Sequence, residues 1–276
     1  MSTQKISGLF GVSRQAYYQQ NWRQQARMME EEILLQQVKQ IREIHPRLGG
    51  RKVYNLILPC LEEHNIKMGR DKLFSLLSRH NMLIHRRKRK IRTTFSSHGF
   101  KIYPNLIRDI ELFYPNQVWV SDITYQRIDT GFVYINFITD AYTKKILGFD
   151  VSDNLGVKGS LRALQKAIAQ SYYPLDRVIH HSDRGIQYCS KAYTEKLKRN
   201  GFLISMSAKG NPLENAIAER INGIIKHEYV LGQKIKNLPQ AKVIINKAVN
   251  TYNQYRPHLS CGYLTPDKAY EANPDL

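Results

Sequence analysis

Cysteine is scarce in this chain, acidic residues are outnumbered almost two to one by basic ones, and no apolar run approaches the length of a membrane span. Each shortage excludes something. Cys60, Cys189 and Cys261 are scattered, odd in number and without Cys-x-x-Cys spacing, which argues against a disulfide framework or a structural zinc site and favours a reducing compartment. Without about 20 consecutive apolar residues, a transmembrane helix is not expected. The first residues also lack the apolar stretch of a secretory signal, so the expected location is the cytoplasm and no membrane partner is expected.

The shortage of acid is the more telling one. With 42 Lys and Arg against 23 Asp and Glu, the formal charge is +19, which points to a polyanionic partner. The excess is uneven. Residues 1–116 hold 21 basic and 9 acidic side chains, a net +12, and residues 117–276 hold 21 and 14, a net +7. The 276 residues leave room for one large domain and one or two small ones, and 42% hydrophobic residues are enough to build a core.

The pattern divides the chain into five parts: 1–30, 31–85, 86–114, 115–232 and 233–276. Residues 5–18 resemble the second half of a helix-turn-helix, with Gly11 opening the turn and Ser13 capping a helix that carries Arg14, Gln15 and Tyr17. A short helical hairpin without DNA contact fits that fragment equally well. Residues 22–44 have the apolar spacing of an amphipathic helix through Ile33, Leu34, Val38 and Ile41. A turn at His45–Gly50 leads into a helical pattern through Val53, Leu56, Ile57 and Leu61, in which Pro59 predicts a short or kinked helix. A third helix, about Gly69 to His80, would turn Leu73, Leu76 and Leu77 inward and Arg70, Lys72, Ser75 and Arg79 outward. A basic outer face on such a unit suits the DNA major groove.

Arg86, Arg87, Lys88, Arg89, Lys90 and Arg92 put six cations into seven residues. Charges that dense repel one another, so the segment reads as a flexible linker and an arm for the phosphate backbone. From about 115 the composition turns to strands. Val118–Ile128, Phe132–Thr139 and Ile146–Val151 read as an antiparallel meander. There follow a helix over 157–170, a buried strand at 177–181, a helix at about 190–200, a short strand from Phe202 to Ser205, a helix from Asn215 and another at about 239–253. The order is α/β with a mixed sheet.

Three carboxylates stand out in that frame. Asp122 ends the apolar run Trp119-Val120-Ser121, Asp183 follows the run Arg177–Ser182, and Glu219 lies inside the helical segment Asn215–Lys226, with 35 residues between Asp183 and Glu219. Oxygen ligands of this kind suit hard cations such as Mg²⁺. Two metals between them would serve phosphoryl transfer. Asp140 also ends an apolar strand but reads as the start of a turn. His180 and His181 read as packing residues or partners of ligands rather than as ligands. Arg184 and Gly185 begin a turn that could bring backbone close to DNA. Tyr255, Arg256 and His258 could touch DNA or stabilise the C-terminal fold.

The segments Trp119–Tyr125, His181–Tyr188, Ser205–Asn211, Asn215–Glu219 and Tyr255–Leu259 with Leu264–Pro266, taken in order, resemble the DDE transposases of bacterial insertion sequences, the OrfB product of the IS-three group. Residues 33–90 are similar to the helix-turn-helix unit that precedes the core in these proteins. The resemblance implies a ribonuclease-H-like mixed-sheet core behind small all-helical DNA-binding domains. It implies Mg²⁺ dependence, with Mn²⁺ able to substitute and two ions per site, and cutting and joining of double-stranded DNA at terminal inverted repeats and at a target. A bacterial, nucleoid-associated location, an assembly of at least two chains on DNA and an upstream-frame DNA-binding partner are implied as well. By residue, Asp122, Asp183 and Glu219 match the metal-binding carboxylates. Lys226 matches a basic residue seven after the glutamate, and seven residues at about 100° each return it to within about 20° of the Glu219 face. The alternative reading is a non-catalytic DNA-binding regulator or a partner-dependent subunit derived from such an enzyme.

Overall fold

The computed structural model describes residues 11, 13–84, 99–171, 174–208 and 215–272. The chain forms two compact units, residues 1–86 and 87–276. The segment Arg86–Arg92, with the cations expected to form a basic arm, lies outside the described residues, as do residues 5–10 of the expected helix-turn-helix fragment.

The first unit is helical: α1 (Arg14–Ile44), α2 (Gly50–Glu63) and α3 (Arg70–Arg79). Ser13 caps α1 by accepting from the Ala16 amide. Residues 14–18 of the first segment continue into the segment read at 22–44 as one 31-residue helix. Leu34, Val38 and Ile41 of α1 meet Val53, Ile57 and Leu61 of α2 and Leu73, Leu76 and Leu77 of α3 in one apolar cluster. The spacing of those residues is what makes three helices close on each other. Pro59 does not shorten α2, which runs 14 residues through it. The proline is exposed near the helix end. The carbonyl it leaves without a donor belongs to Asn55, one turn back on the same side and away from the fully buried Val53 and Ile57. Arg70, Lys72, Ser75 and Arg79 are all exposed on α3, as the periodicity predicts.

The second unit is a five-stranded mixed sheet of order β3-β2-β1-β4-β5: β1 (Val118–Ile128), β2 (Gly131–Asp140), β3 (Ile146–Ser152), β4 (Ile179–Ser182) and β5 (Leu203–Met206). The first three strands form the expected antiparallel meander, and β1–β4 and β4–β5 are parallel. Gly131, at φ +128°, closes the tight turn from β1 to β2. One face is covered by α4 (Val157–Gln170), the single turn α5 (Ile186–Cys189) and α6 (Lys191–Arg199), which bury Trp119, Ile138 and Leu147 of the sheet. The opposite face is covered by α7 (Ala216–Ile224), a π-helical turn (Ile225–Val230) and α8 (Leu238–Tyr255). The C-terminal segment is part of this unit: α9 (Pro266–Glu271) sends Tyr270 to Asn116, whose amide donates to the tyrosine oxygen at 2.9 Å.

Helix α4 approaches β3 closely at Gly148. A Cβ there would meet the Ala163 carbonyl oxygen at 2.3 Å and the Ala167 nitrogen at 2.6 Å, both backbone atoms. Gly148→Ala is expected to destabilise the protein by about 1–3 kcal/mol, as overpacking does. Gly223 in α7 faces open space, so Gly223→Ala should be neutral or stabilise by up to about 1 kcal/mol. Urea midpoints at unchanged m-value check both, and equal shifts for the two variants would contradict this packing.

Candidate active site

Strand parity puts the first two carboxylates on one face. Successive side chains of a strand alternate between faces. Val118 and Val120 of β1 and Ile179 of β4 lie in the cluster that also contains Ala218 of α7. Asp122 and Asp183 share the parity of those residues. The parallel register pairs Val118 with Ile179, Val120 with His181 and Ser121 with Ser182. Asp122 and Asp183 are the next positions along, side by side beneath α7.

Helix α7 brings the third carboxylate. Asn222, one turn beyond Glu219, donates from Nδ2 to Asp122 Oδ2 at 2.7 Å, which moors the helix over β1. Glu219 itself is exposed. Its negative charge and that of Asp183 both act on Asp122. Asp122 Oδ1 accepts from the Ile123 amide at 2.9 Å, and Asp183 Oδ1 accepts from the Gly185 amide at 2.9 Å. Burial first and the neighbouring Asp183 charge second push the Asp122 carboxyl up to about 8, with Glu219 adding to the shift and the two hydrogen bonds opposing it.

Among the described residues no three His, Cys, Asp or Glu side chains converge as a ready-made metal cage. The amides of Ile123, Asn222 and Gly185 hold two of the carboxylates instead. The donor set nevertheless fits a hard cation. The charges of Asp183 and Glu219 oppose the ionisation of Asp122, and the buried Asn222 Oδ1 beside Asp122 has no hydrogen-bond partner. Asp140 is different. It is fully buried and accepts from the Asn116 amide and from both the amide and hydroxyl of Thr143, each at 2.7 Å, so it organises the turn after β2.

Beneath the site on the other face, His180 is fully buried. Its Nε2 meets Ser121 Oγ at 2.8 Å and the Tyr193 hydroxyl at 3.0 Å. Burial first and then His181 lower its pKa to about 3, so it is a neutral imidazole that braces β1 against β4 and α6. His181 Nδ1 meets Ser205 Oγ at 2.8 Å, and that serine oxygen accepts from the Leu106 amide. Both histidines are therefore braces between strands. Arg184 donates to the Ser207 carbonyl at 2.8 Å.

Lys226 lies beyond α7 in the π turn. Its Nζ reaches Thr124 Oγ1 at 3.2 Å and the Tyr125 carbonyl at 2.6 Å, and stands 5.0 Å from the Tyr125 ring centre. It thus meets the strand that carries Asp122, two and three residues further along. In the helical unit, Arg79 donates to Glu31 at 2.7 Å and Arg70 to Asp71 at 2.9 Å. Asn222 escaped the sequence reading, although its three-residue offset from Glu219 placed it on the same helix face. The partners of Arg256 had no such signal. Arg256 and His258 are interior residues, 2% and 6% exposed, while Tyr255 is 55% exposed.

The Asp122 shift carries a sign. Its folded-state pKa of about 8 lies above the ordinary 3.8. Between those values the folded protein keeps a proton that the unfolded chain has lost, so stability falls as pH rises through that window. In EDTA, Tm is expected to fall from about pH 4 to about pH 8 for the wild type, and to fall less for Asp122→Asn. Equal slopes in the two proteins would refute the Asp122 shift.

The Integrase core domain family matches residues 114–212, and a second family of the same description matches residues 200–266. The insertion element IS600 uncharacterized 31 kDa protein of Shigella sonnei is 35% identical over 266 residues, covering 94% of each chain. The transposase for insertion sequence element IS629 of the same organism is 32% identical over 252 residues, covering 90% of this chain and 83% of that one. Transposase InsF for insertion sequence IS3A of Escherichia coli K12 is 34% identical over 182 residues, covering 65% and 63%. A chain of the simian T-cell lymphotropic virus intasome shares the fold, with a TM-score of 0.52 at 15% identity over 86% of this chain and 75% of that chain. Similarity to the first two of these relatives over nearly the whole chain, on a ribonuclease-H-like mixed sheet, establishes that the chain belongs to the IS3 family of insertion-sequence transposases, whose integrase core is that of the DDE polynucleotidyl transferases.

Proposed function

We propose that this chain cleaves the ends of an insertion element and joins them to target DNA, with Asp122, Asp183 and Glu219 holding two Mg²⁺ ions, or Mn²⁺ in their place. The observation that carries the reading is the parallel β1–β4 register, which sets Asp122 beside Asp183 under the helix that bears Glu219. Bound there, the cations supply the charge that activates an attacking oxygen and stabilises the leaving one.

The chain's own residues do the positioning. Asn222 orients the Asp122 carboxylate from α7, and the Gly185 amide orients Asp183 from the turn after β4. Lys226 stands along β1 from Asp122, where its ammonium can meet a phosphate of the bound strand. The reaction is an in-line displacement at phosphorus. Water attacks first and frees a 3′-hydroxyl, and that hydroxyl then attacks the target phosphate. No covalent protein intermediate is needed.

Double-stranded DNA is the partner that the +19 charge calls for. Arg70 and Lys72 are exposed on α3 and are offered here as DNA contacts, together with Arg79 once released from Glu31. Arg86, Arg87, Lys88, Arg89, Lys90 and Arg92 are offered as a backbone-binding arm. Joining two element ends requires at least two chains, and an upstream-frame DNA-binding partner would complete the recognition of the ends.

The test is nicking of a labelled duplex carrying an element end, with Mg²⁺, Mn²⁺ or EDTA. Cleavage is expected with either metal and not with EDTA. Asp183→Asn and Glu219→Gln should each lose on the order of a thousandfold in rate, the equivalent of several kcal/mol of transition-state stabilisation, while still binding the duplex. A variant that nicks at the wild-type rate would remove its residue from the site.

A further inference from the structure

The Tyr255-Arg256-Pro257-His258 segment has no role in the site described above, yet it holds the most completely paired buried cation among the described residues. Arg256 follows α8 and is 2% exposed. Its Nε donates to Glu228 Oε2 at 2.7 Å and its Nη2 to Glu228 Oε1 at 2.8 Å, a two-pronged pair. Its Nη1 donates to His258 Nε2 at 2.9 Å and lies 3.4 Å from the Pro257 carbonyl. Tyr252 backs the cluster, with the His258 ring edge-on at 5.2 Å.

Glu228 belongs to the π-helical turn Ile225–Val230, the same turn that carries Lys226. A π turn is rare, so something must hold it open. Apolar packing does part of this. Ile224 and Tyr229, and Ile225 and Val230, are buried pairs five positions apart, a spacing that suits i→i+5 winding, while Ile225 and Tyr229 also stand one α-helical turn apart. The Arg256–Glu228 pair does the rest. Buried ion pairs return little net stability once desolvation is counted, and their best-attested use is to select one register. Closing the turn to α spacing would advance the register by one residue, about 100°. Either Lys226 would leave β1 or Val230, five positions after Ile225, would turn away from the core.

We infer that Arg256 and Glu228 are positioning residues: their part-buried pair fixes the π turn that presents Lys226 to β1 at Thr124 and Tyr125, two and three residues along from Asp122. The inference rests on the placement of Lys226 at a DNA phosphate proposed above. Arg256 acts from inside the protein and touches no DNA.

The test measures binding of a fluorescent duplex ending in the element's terminal repeat, in EDTA, as a function of KCl. Lys226→Ala should lower the slope of log K against log[KCl] by about one, the loss of one phosphate contact. Arg256→Lys keeps the net charge and removes the two-pronged geometry. It should lower the slope by about the same amount in the wild-type background and by nothing further in the Lys226→Ala background. Glu228→Gln provides a second variant, and circular dichroism verifies that each is folded. If Lys226→Ala lowers the slope and Arg256→Lys does not, or if the two losses add, the positioning role is overturned while the placement of Lys226 stands. If Lys226→Ala leaves the slope unchanged, that placement fails and the inference falls with it. If neither pair variant folds, the pair serves stability alone and the inference is overturned.

Discussion

The parallel pairing of β1 with β4 is the constraint on which the rest of this structure depends. It places two carboxylates of matching strand parity next to each other, on a face otherwise built from Val118, Val120 and Ile179. Negative charges brought together in a partly apolar setting oppose their own ionisation, which the raised Asp122 carboxyl records. A fold that accepts such a cost at its centre has to hold the strands rigidly, or they would slide to relieve it. The antiparallel partner β2 runs the full length of β1 and supplies that hold.

Two polar braces complete it from the opposite sides of the sheet. On one face, His180 ties β1 to α6 through Ser121 and Tyr193, with its imidazole kept neutral by burial. On the other, His181 meets Ser205 of β5, which in turn holds Leu106 from the segment before the sheet. Hydrogen bonds between buried neutral groups are directional, so they fix strand position in a way that apolar contact alone does not. The same logic reappears at the far end of α7. There the part-buried pair of Arg256 and Glu228 holds a turn whose geometry differs from that of the helix leading into it.

Charge is divided along the chain in keeping with this arrangement. The three carboxylates belong to a protein of formal charge +19, a balance that suits a polyanionic partner. The exposed cations of α3 are presented by a unit whose three helices close over their own apolar stripe. Each unit therefore keeps its own core while offering positive charge outward.

Much of this was legible in the amino-acid order. The alternation that builds β1 to β3, the 3.6-residue stripes of α3 and α4, and the carboxylates that follow apolar runs all rest on local patterns, which neighbours in sequence decide. The strands and the helix over 157–170 were read within about two residues of their observed ends for the same reason, whereas the helix read from 22 begins at Arg14 and the short α5 and α9 were not read. Of the short or kinked helix that Pro59 predicted, the short alternative fails, because the exposed proline leaves the buried stripe intact and α2 continues through it. The sequence reading left open the role of Arg256 and His258, whose burial depends on Glu228 arriving from a different helix. It extended a regular α-helix through Lys226, where the protein makes a π turn. The sequence by itself determined which residues carry charge, which faces are apolar and in what order strands and helices follow. Only the tertiary structure decided that β4 lies beside β1, and hence that Asp122 and Asp183 are neighbours, that Asn222 reaches one of them and that Arg256 is internal. The physical reason is that pairing across 60 or more residues depends on burial and hydrogen bonding summed over the whole sheet, which no local pattern contains.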